Sequence, residues 1–224
     1  ELYSRYFENG NRNVSIAKLR TSAVERTYYV ADYIGGLFIG VALPFVIYSI
    51  YLGLHKTISG ELVNGKYLLQ IWGGFMLMIV MSWLFSINCL VWTKFKVNYK
   101  FIFEFNQHDT LDFKQYMVLP SLFLFLGGII AWLSFEDFWP HEFSGYDFPW
   151  VFLAVTVLIL FCPFDMFFLN ARLWLLSTFT RLLLSGFYPV EFRDFFLGDI
   201  FCSLTYSISN VSMFFCIYSK HWNN

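Results

Sequence analysis

Five stretches of this chain carry no Asp, Glu, Lys or Arg and are close to membrane length, and that limits the fold before anything else does. Tyr33–Leu54 runs for 22 residues, Tyr67–Thr93 for 27, Gln115–Phe135 for 21, Phe148–Phe164 for 17 and Ile200–Ser219 for 20. About 20 apolar residues in a helix cross the hydrocarbon core of a bilayer. Inside lipid no water satisfies the backbone, so a spanning segment must bond its own N–H and C=O groups. The composition agrees: 58% of residues are hydrophobic, 23% aromatic and only 14% charged, against about 25% charged in soluble domains. The expected fold is all-α, a polytopic transmembrane helical bundle of about five spans, with the lipid bilayer as its surroundings.

Several function classes drop out. A formal net charge of −1 offers no basic surface for nucleic acid. Cys89, Cys162, Cys202 and Cys216 lie in apolar stretches with no CxxC or Cys/His cluster. They read as buried packing thiols, not as a disulfide framework or a metal site. Nucleophile elbows, HExxH, P-loops and GxGxxG are absent, and His55, His108, His141 and His221 do not cluster. No catalytic residue is nominated, no cofactor is expected in this chain, and the reading is not an enzyme.

Between the spans the charges sort by side. Residues 1–32, 94–114 and 165–199 hold twelve Lys and Arg; the alternate segments hold only Lys56, Lys66 and Lys220. The positive-inside rule then places the N-terminus in the cytosol. Residues 1–32 read as a cytosolic linker. Residues 33–54 form a first span whose Gly36 and Gly40 permit close helix approach, a possible dimer contact. Residues 67–219 form a transmembrane domain. The alternating VNYKFIFEF suggests a short strand or a surface segment. Pro163 predicts a break, and residues 166–184 an amphipathic or embedded helix. The start at Glu1 without Met, and the odd span count, suggest a segment of a longer protein.

The last span is the unusual one. Asp199 stands at its doorway, and Cys202, Ser203, Thr205, Tyr206, Ser207, Ser209, Asn210 and Ser212 lie behind it. A carboxylate at the mouth of an apolar span is expensive to desolvate and marks a candidate functional site. On one continuous helix Asp199, Cys202, Tyr206 and Ser209 share a face, with Thr205 beside it. Supporting charges lie close by: Asp165, Arg172, Arg181, Arg193 and Asp194. On a continuous helix Asp165 and Arg172 also share a face. Arginine forks suit an oxyanion. Two readings stay open: a polar solute path, or interior ion pairs that lock helices together while hydroxyls bond their own backbone.

The run CPFDMFFLNARLWLLSTFTRLLLSGFYPVEFRDFFLGDIFCSLT, preceded by INCLVWTKFKVNYKFIFEFN, resembles the EXS domain of eukaryotic phosphate exporters, with fungal wording in NYKFIFEFN and YPVEFRDFFL. The resemblance covers about residues 67–219. It implies export of inorganic phosphate across the plasma membrane or an internal membrane, by a homodimer with contacts in the first span. It further implies a preceding SPX domain, for which residues 1–32 are the linker, controlled by an inositol pyrophosphate. Carried over, the motif Asp is Asp199, followed by Cys202 where the family often has Asn, and by Thr205. Leu169 and Ser177 stand where basic residues are common, and the later cationic helices of the family lie outside this chain. The expectation is a phosphate exporter whose path is lined by the helix beginning at Asp199, with Ser203, Tyr206 and Ser209 further along. Asp199 is expected to hold a neighbouring Arg or Lys, or to take a proton from phosphate. The alternative is a membrane signalling scaffold that responds to phosphate status without conducting it.

Overall fold

A computed structural model describes residues 29–103, 111–137, 144–164 and 167–220. Among them every regular element is a helix: α1 (Tyr29–Ile58), α2 (Gly65–Lys94), α3 (Tyr99–Ile102), α4 (Phe113–Glu136), α5 (Phe148–Phe161), α6 (Leu169–Leu183), α7 (Phe192–Ser203) and α8 (Thr205–Ser219). Most of residues 1–32, together with Asp165, His108 and Asp109, lie outside the described residues.

Helices α1, α2 and α4 are each long and apolar enough to cross a membrane, whereas α7 and α8 qualify only as a pair bent by 66°. Helix α5 has 14 residues, about 21 Å at 1.5 Å per residue, shorter than a ~30 Å core. The five expected spans are therefore three straight helices, one bent pair and one short helix. The break at Pro163 is present: α5 ends at Phe161, and Cys162 takes the extended φ −57°, ψ 121° that a following proline imposes.

Helix α4 lies parallel to α1. At one end Lys114 pairs with Asp32; at the other Lys56 Nζ donates to the carbonyl of Phe135 at 2.8 Å. The seam between them is closed by absence of side chain. A Cβ on Gly128 would sit 3.0 Å from Val46 Cγ2 and 3.3 Å from the Ala42 carbonyl, and one on Gly53 would sit 3.0 Å from Phe135 Cε1. Ser49 Oγ donates within the seam, to the carbonyl of Phe45 at 2.6 Å. The opposite face of α1 carries Tyr33, Leu37, Ile47 and Tyr51, all exposed. A Cβ placed on Gly36 or Gly40 would have nothing within 4 Å, so their close-approach spacing is not used among the described residues.

The main core gathers Leu68, Ile71, Trp72, Phe75 and Ile79 of α2 with Ile130, Ala131 and Phe135 of α4, Phe148 and Phe152 of α5, and Phe214 of α8. Helix α8 crosses α2 where Gly74 faces Asn210 Cβ, 3.0 Å from where a Cβ on Gly74 would lie. Asn210 Nδ2 donates to the Gln70 carbonyl at 3.2 Å. A second cluster forms at the lysine-bearing end of α2. Cys89, Tyr99 and Phe103 pack there with Trp174 of α6 and Phe196 of α7, and Trp174 Nε1 donates to the Phe103 carbonyl at 3.2 Å. Where the alternation suggested a short strand or a surface segment, the described residues form the four-residue helix α3, and Tyr99 and Phe103 sink into this cluster. Burial there pushes the Tyr99 hydroxyl up to about 12. Of the four thiols expected to be buried, Cys89 is buried, Cys162 is half-buried, and Cys202 and Cys216 are exposed; all four are free.

Candidate functional site

Helices α6 and α7 form a hairpin joined by a turn through Ser185, Gly186 and Pro189. Residues with turn chemistry stop α6, and Glu191-Phe-Arg-Asp194 starts α7 with reciprocal capping. In that box Asp194 Oδ2 accepts the Glu191 N–H at 3.1 Å, which satisfies a donor that the first helical turn leaves unpaired. Arg181 occupies the last turn of α6 and Asp194 the first turn of α7. Each stands at the helix end whose dipole favours its charge.

These two charges meet across the hairpin. Arg181 Nε lies 3.3 Å from both Asp194 carboxylate oxygens, and Nη2 lies 3.2 Å from Asp194 Oδ2. The same Nη2 reaches Glu191 Oε1 at 2.9 Å and the Pro189 carbonyl at 2.9 Å. Arg193 Nη2 stands 2.6 Å from Glu191 Oε2, an ion contact without hydrogen-bond alignment. The Tyr188 ring lies against the Arg181 guanidinium, 5.5 Å from its centroid. Asp194 is 5% exposed, so its charge is tolerable only because it is paired and hydrogen-bonded.

A cleft of about 310 Å³ opens beside this network. Arg181, Leu182, Ser185, Tyr188, Val190, Asp194, Phe195, Gly198, Asp199 and Cys202 line it, and its surface is mostly apolar. Among its lining residues one arginine, Arg181, stands against two carboxylates, Asp194 and Asp199, so this wall alone does not attract an anion by net charge.

Of the sequence-nominated residues, the cleft brings together Asp199, Cys202, Arg181 and Asp194. Asp199 is not at the doorway of a straight span. It sits seven residues beyond Phe192, about 10 Å along α7. Among the described residues no ion pair of its carboxylate is found, and there Arg181 is held by Asp194 and Glu191. The shared face of Asp199, Cys202, Tyr206 and Ser209 is corrected, because the helix breaks at Leu204. No proline or glycine causes this. The Leu204 N–H is drawn to the carbonyls of both Ile200 (3.0 Å) and Phe201 (3.1 Å), a tightened last turn. Flanking hydroxyls bond back to the backbone: Ser203 Oγ donates to the Asp199 carbonyl at 3.1 Å and Thr205 Oγ1 to that of Cys202. Such bonds bend helices. Past the break Thr205, Tyr206 and Ser209 are exposed and lie outside the cleft, while Ser207 and Asn210 are buried.

Arg172 has a different task. It is 1% exposed and donates from Nη1 to the carbonyls of Ile159 and Cys162 at 2.7 Å, from Nη2 to Phe164 at 3.1 Å and from Nε to Phe167 at 3.1 Å. It caps the open C-terminus of α5 and steadies Phe167 and Phe168, which hold positive φ of 54° and 59°. The expected face shared by Asp165 and Arg172 falls outside the described residues at Asp165; the helix that carries Arg172 starts at Leu169. Sequence reasoning overlooked Ser185, Tyr188 and the capping role of Glu191. The E-x-x-D spacing ahead of an apolar run was the available signal for the last.

A helical bundle with membrane-length apolar helices and a partly charged cleft on a broken helix defines a polytopic integral membrane protein. The chain belongs to the EXS family, which matches residues 68–224. It is 35% identical over 99% of its length to Protein SYG1 homolog of Schizosaccharomyces pombe, covering 31% of that protein. It is 35% identical over 84% of its length to Protein SYG1 of Saccharomyces cerevisiae, covering 22% of it. It is 26% identical over 97% of its length to Phosphate transporter PHO1-1 of Oryza sativa, covering 27% of it. The chain therefore spans under a third of the length of these curated relatives.

Proposed function

We propose that this chain is part of a membrane transporter that exports inorganic phosphate, and that the cleft beside Asp199 and Cys202 is one wall of the path. The observation that carries the reading is this cleft, where Arg181 of α6 and Ser185 and Tyr188 of the turn line one space with Asp194 and Asp199 of the broken α7–α8 helix. Irregular backbone at membrane depth is tolerated where it lines a cavity or is buried in protein. The name of the rice relative, a phosphate transporter, supplies the solute. Phosphate exchanges hydration for placed donors and must bind loosely enough to leave. Because the described wall has no net positive charge, further cations come from other parts of the protein. The N-terminus lies in the cytosol and the membrane is the plasma membrane or an internal one. Two copies meet through the uncovered Gly36–Gly40 face of α1, and an inositol pyrophosphate acts through a preceding SPX domain. No residue is assigned a catalytic role.

The test is phosphate efflux from proteoliposomes containing the full-length protein. Wild type is expected to release phosphate well above empty vesicles. Asp199→Asn, which keeps size and drops the charge, is expected to fall to the level of empty vesicles with an unchanged melting profile. A folded Asp199→Asn protein that exports at the wild-type rate removes Asp199 from the path. A wild-type protein that does not release phosphate leaves the signalling-scaffold reading in its place.

A further inference from the structure

Arg181 stands between two environments. Its guanidinium is gripped by Asp194, Glu191 and the Pro189 carbonyl, and the same residue lines the cleft shared with Asp199 and Cys202. Asp194 is in turn tied to the backbone of α7 through the Glu191 N–H at 3.1 Å. A chain of fixed contacts thus runs from the first turn of α7, through a buried carboxylate, to Arg181, a residue of the cleft lining. We propose that Asp194 is a positioning residue for a small oxyanion in this cleft, acting through Arg181, with phosphate as the occupant. The inference rests on the transport reading above and adds a role that the motif Asp does not fill.

The physical case is one of preorganisation. A free arginine side chain must give up several rotors to aim its planar fork, whereas one already bonded along its Nε edge loses less for each contact it makes. Asp194 supplies that edge with both carboxylate oxygens. Glu191 is shared between Arg181 and Arg193, so Arg193 steadies the second carboxylate without being on the cleft wall. Coulomb's law and positioning also predict opposite signs. Removing the Asp194 charge makes the cleft more positive, so electrostatics alone would tighten anion binding. If Asp194 works by aiming Arg181, removing its charge weakens binding despite the added positive potential.

Cys202 supplies the readout, since it is exposed, free and on the same wall. The full-length protein is placed in phosphatidylcholine nanodiscs, so that no anionic headgroup competes, and alkylation of Cys202 by N-ethylmaleimide is followed by peptide mass spectrometry against phosphate concentration. In wild type, phosphate is expected to slow alkylation. In Asp194→Asn, which retains an acceptor for the Glu191 N–H, the half-protecting concentration is expected to rise about tenfold, the scale of one lost charge-assisted hydrogen bond. The alkylation rate without phosphate should stay at the wild-type value, while the melting temperature falls, because Asp194 also latches the hairpin, with the variant still folded at the assay temperature. Arg181→Lys should show the same loss, and the double variant should be no worse than either single one within about twofold, because both changes break one linkage. Protection of Asp194→Asn at wild-type or lower phosphate overturns the inference. If Asp194→Asn fails to fold, Arg181→Lys decides, and wild-type protection there overturns it equally. Absence of phosphate protection in wild type sinks the transport reading itself, which separates the two failures.

Discussion

The α1–α4 seam and the α6–α7 hairpin hold pairs of helices together by opposite means. At the seam, glycines at 53 and 128 remove side chain so that backbones and apolar groups close in. Charges appear only at its two ends, as Asp32–Lys114 and Lys56 on the Phe135 carbonyl. The hairpin has few buried apolar residues, Leu197 among them, and is latched by a four-charge network instead. Between apolar surfaces in lipid there is little hydrophobic gain from association, so close packing and polar contacts must do the joining. The seam uses the first and forms a static scaffold. The hairpin uses the second and keeps polar groups beside a cleft.

The contrast breaks most severely at Arg172. Arg172→Met retains much of the bulk but leaves the carbonyls at the end of α5 without donors. At about 1–3 kcal/mol for each buried group left unsatisfied, the loss should reach at least about 3 kcal/mol. A marked fall in melting temperature in detergent, with new proteolysis between α5 and α6, is the expected result; an unchanged melt would show that these carbonyls are satisfied otherwise. On the scaffold side, Gly128→Val drives a side chain into Val46 and the Ala42 carbonyl. Overpacking of this kind costs about 1–3 kcal/mol, and the melt should fall by less than for Arg172→Met. The smallest effect sharpens the comparison. Gly36→Leu combined with Gly40→Leu meets open space among the described residues, so the monomer should melt within about 0.5 kcal/mol of wild type while dimer crosslinking falls. Unchanged crosslinking would move the dimer contact off this face.

Much of the scaffold was legible in the sequence. The uncharged runs Tyr33–Leu54, Tyr67–Thr93 and Gln115–Phe135 fall within a few residues of α1, α2 and α4, because excluding charge from lipid is a local requirement that composition records. Pro163 announced the end of α5 for an equally local reason. The site was less legible. The break at Leu204 is written in serine and threonine hydroxyls, which occur in many unbroken helices. Arg172 looked like a ligand because its partners are main-chain carbonyls, which carry no sequence signal, and the chain meets them only after reversing through two left-handed phenylalanines. The pairing of Arg181 with Asp194 in place of Asp199 depends on the length of the hairpin turn. Polar residues past the break were read as one stripe, yet Ser207 and Asn210 serve the crossing with α2 and only the residues before the break reach the cleft.

The 66° joint between α7 and α8 also decides how thick a bilayer the pair can fit. Placed end to end, 12 and 15 residues make a rod of about 40 Å at 1.5 Å per residue, well over the ~30 Å of hydrocarbon available. With α8 upright and α7 inclined by the bend, α8 rises about 22 Å and α7 adds only about 7 Å, for a total near 30 Å. The bend therefore matches an overlong segment to the membrane. With α8 upright, the helix that carries Asp199 then lies nearer to the membrane plane than to its normal.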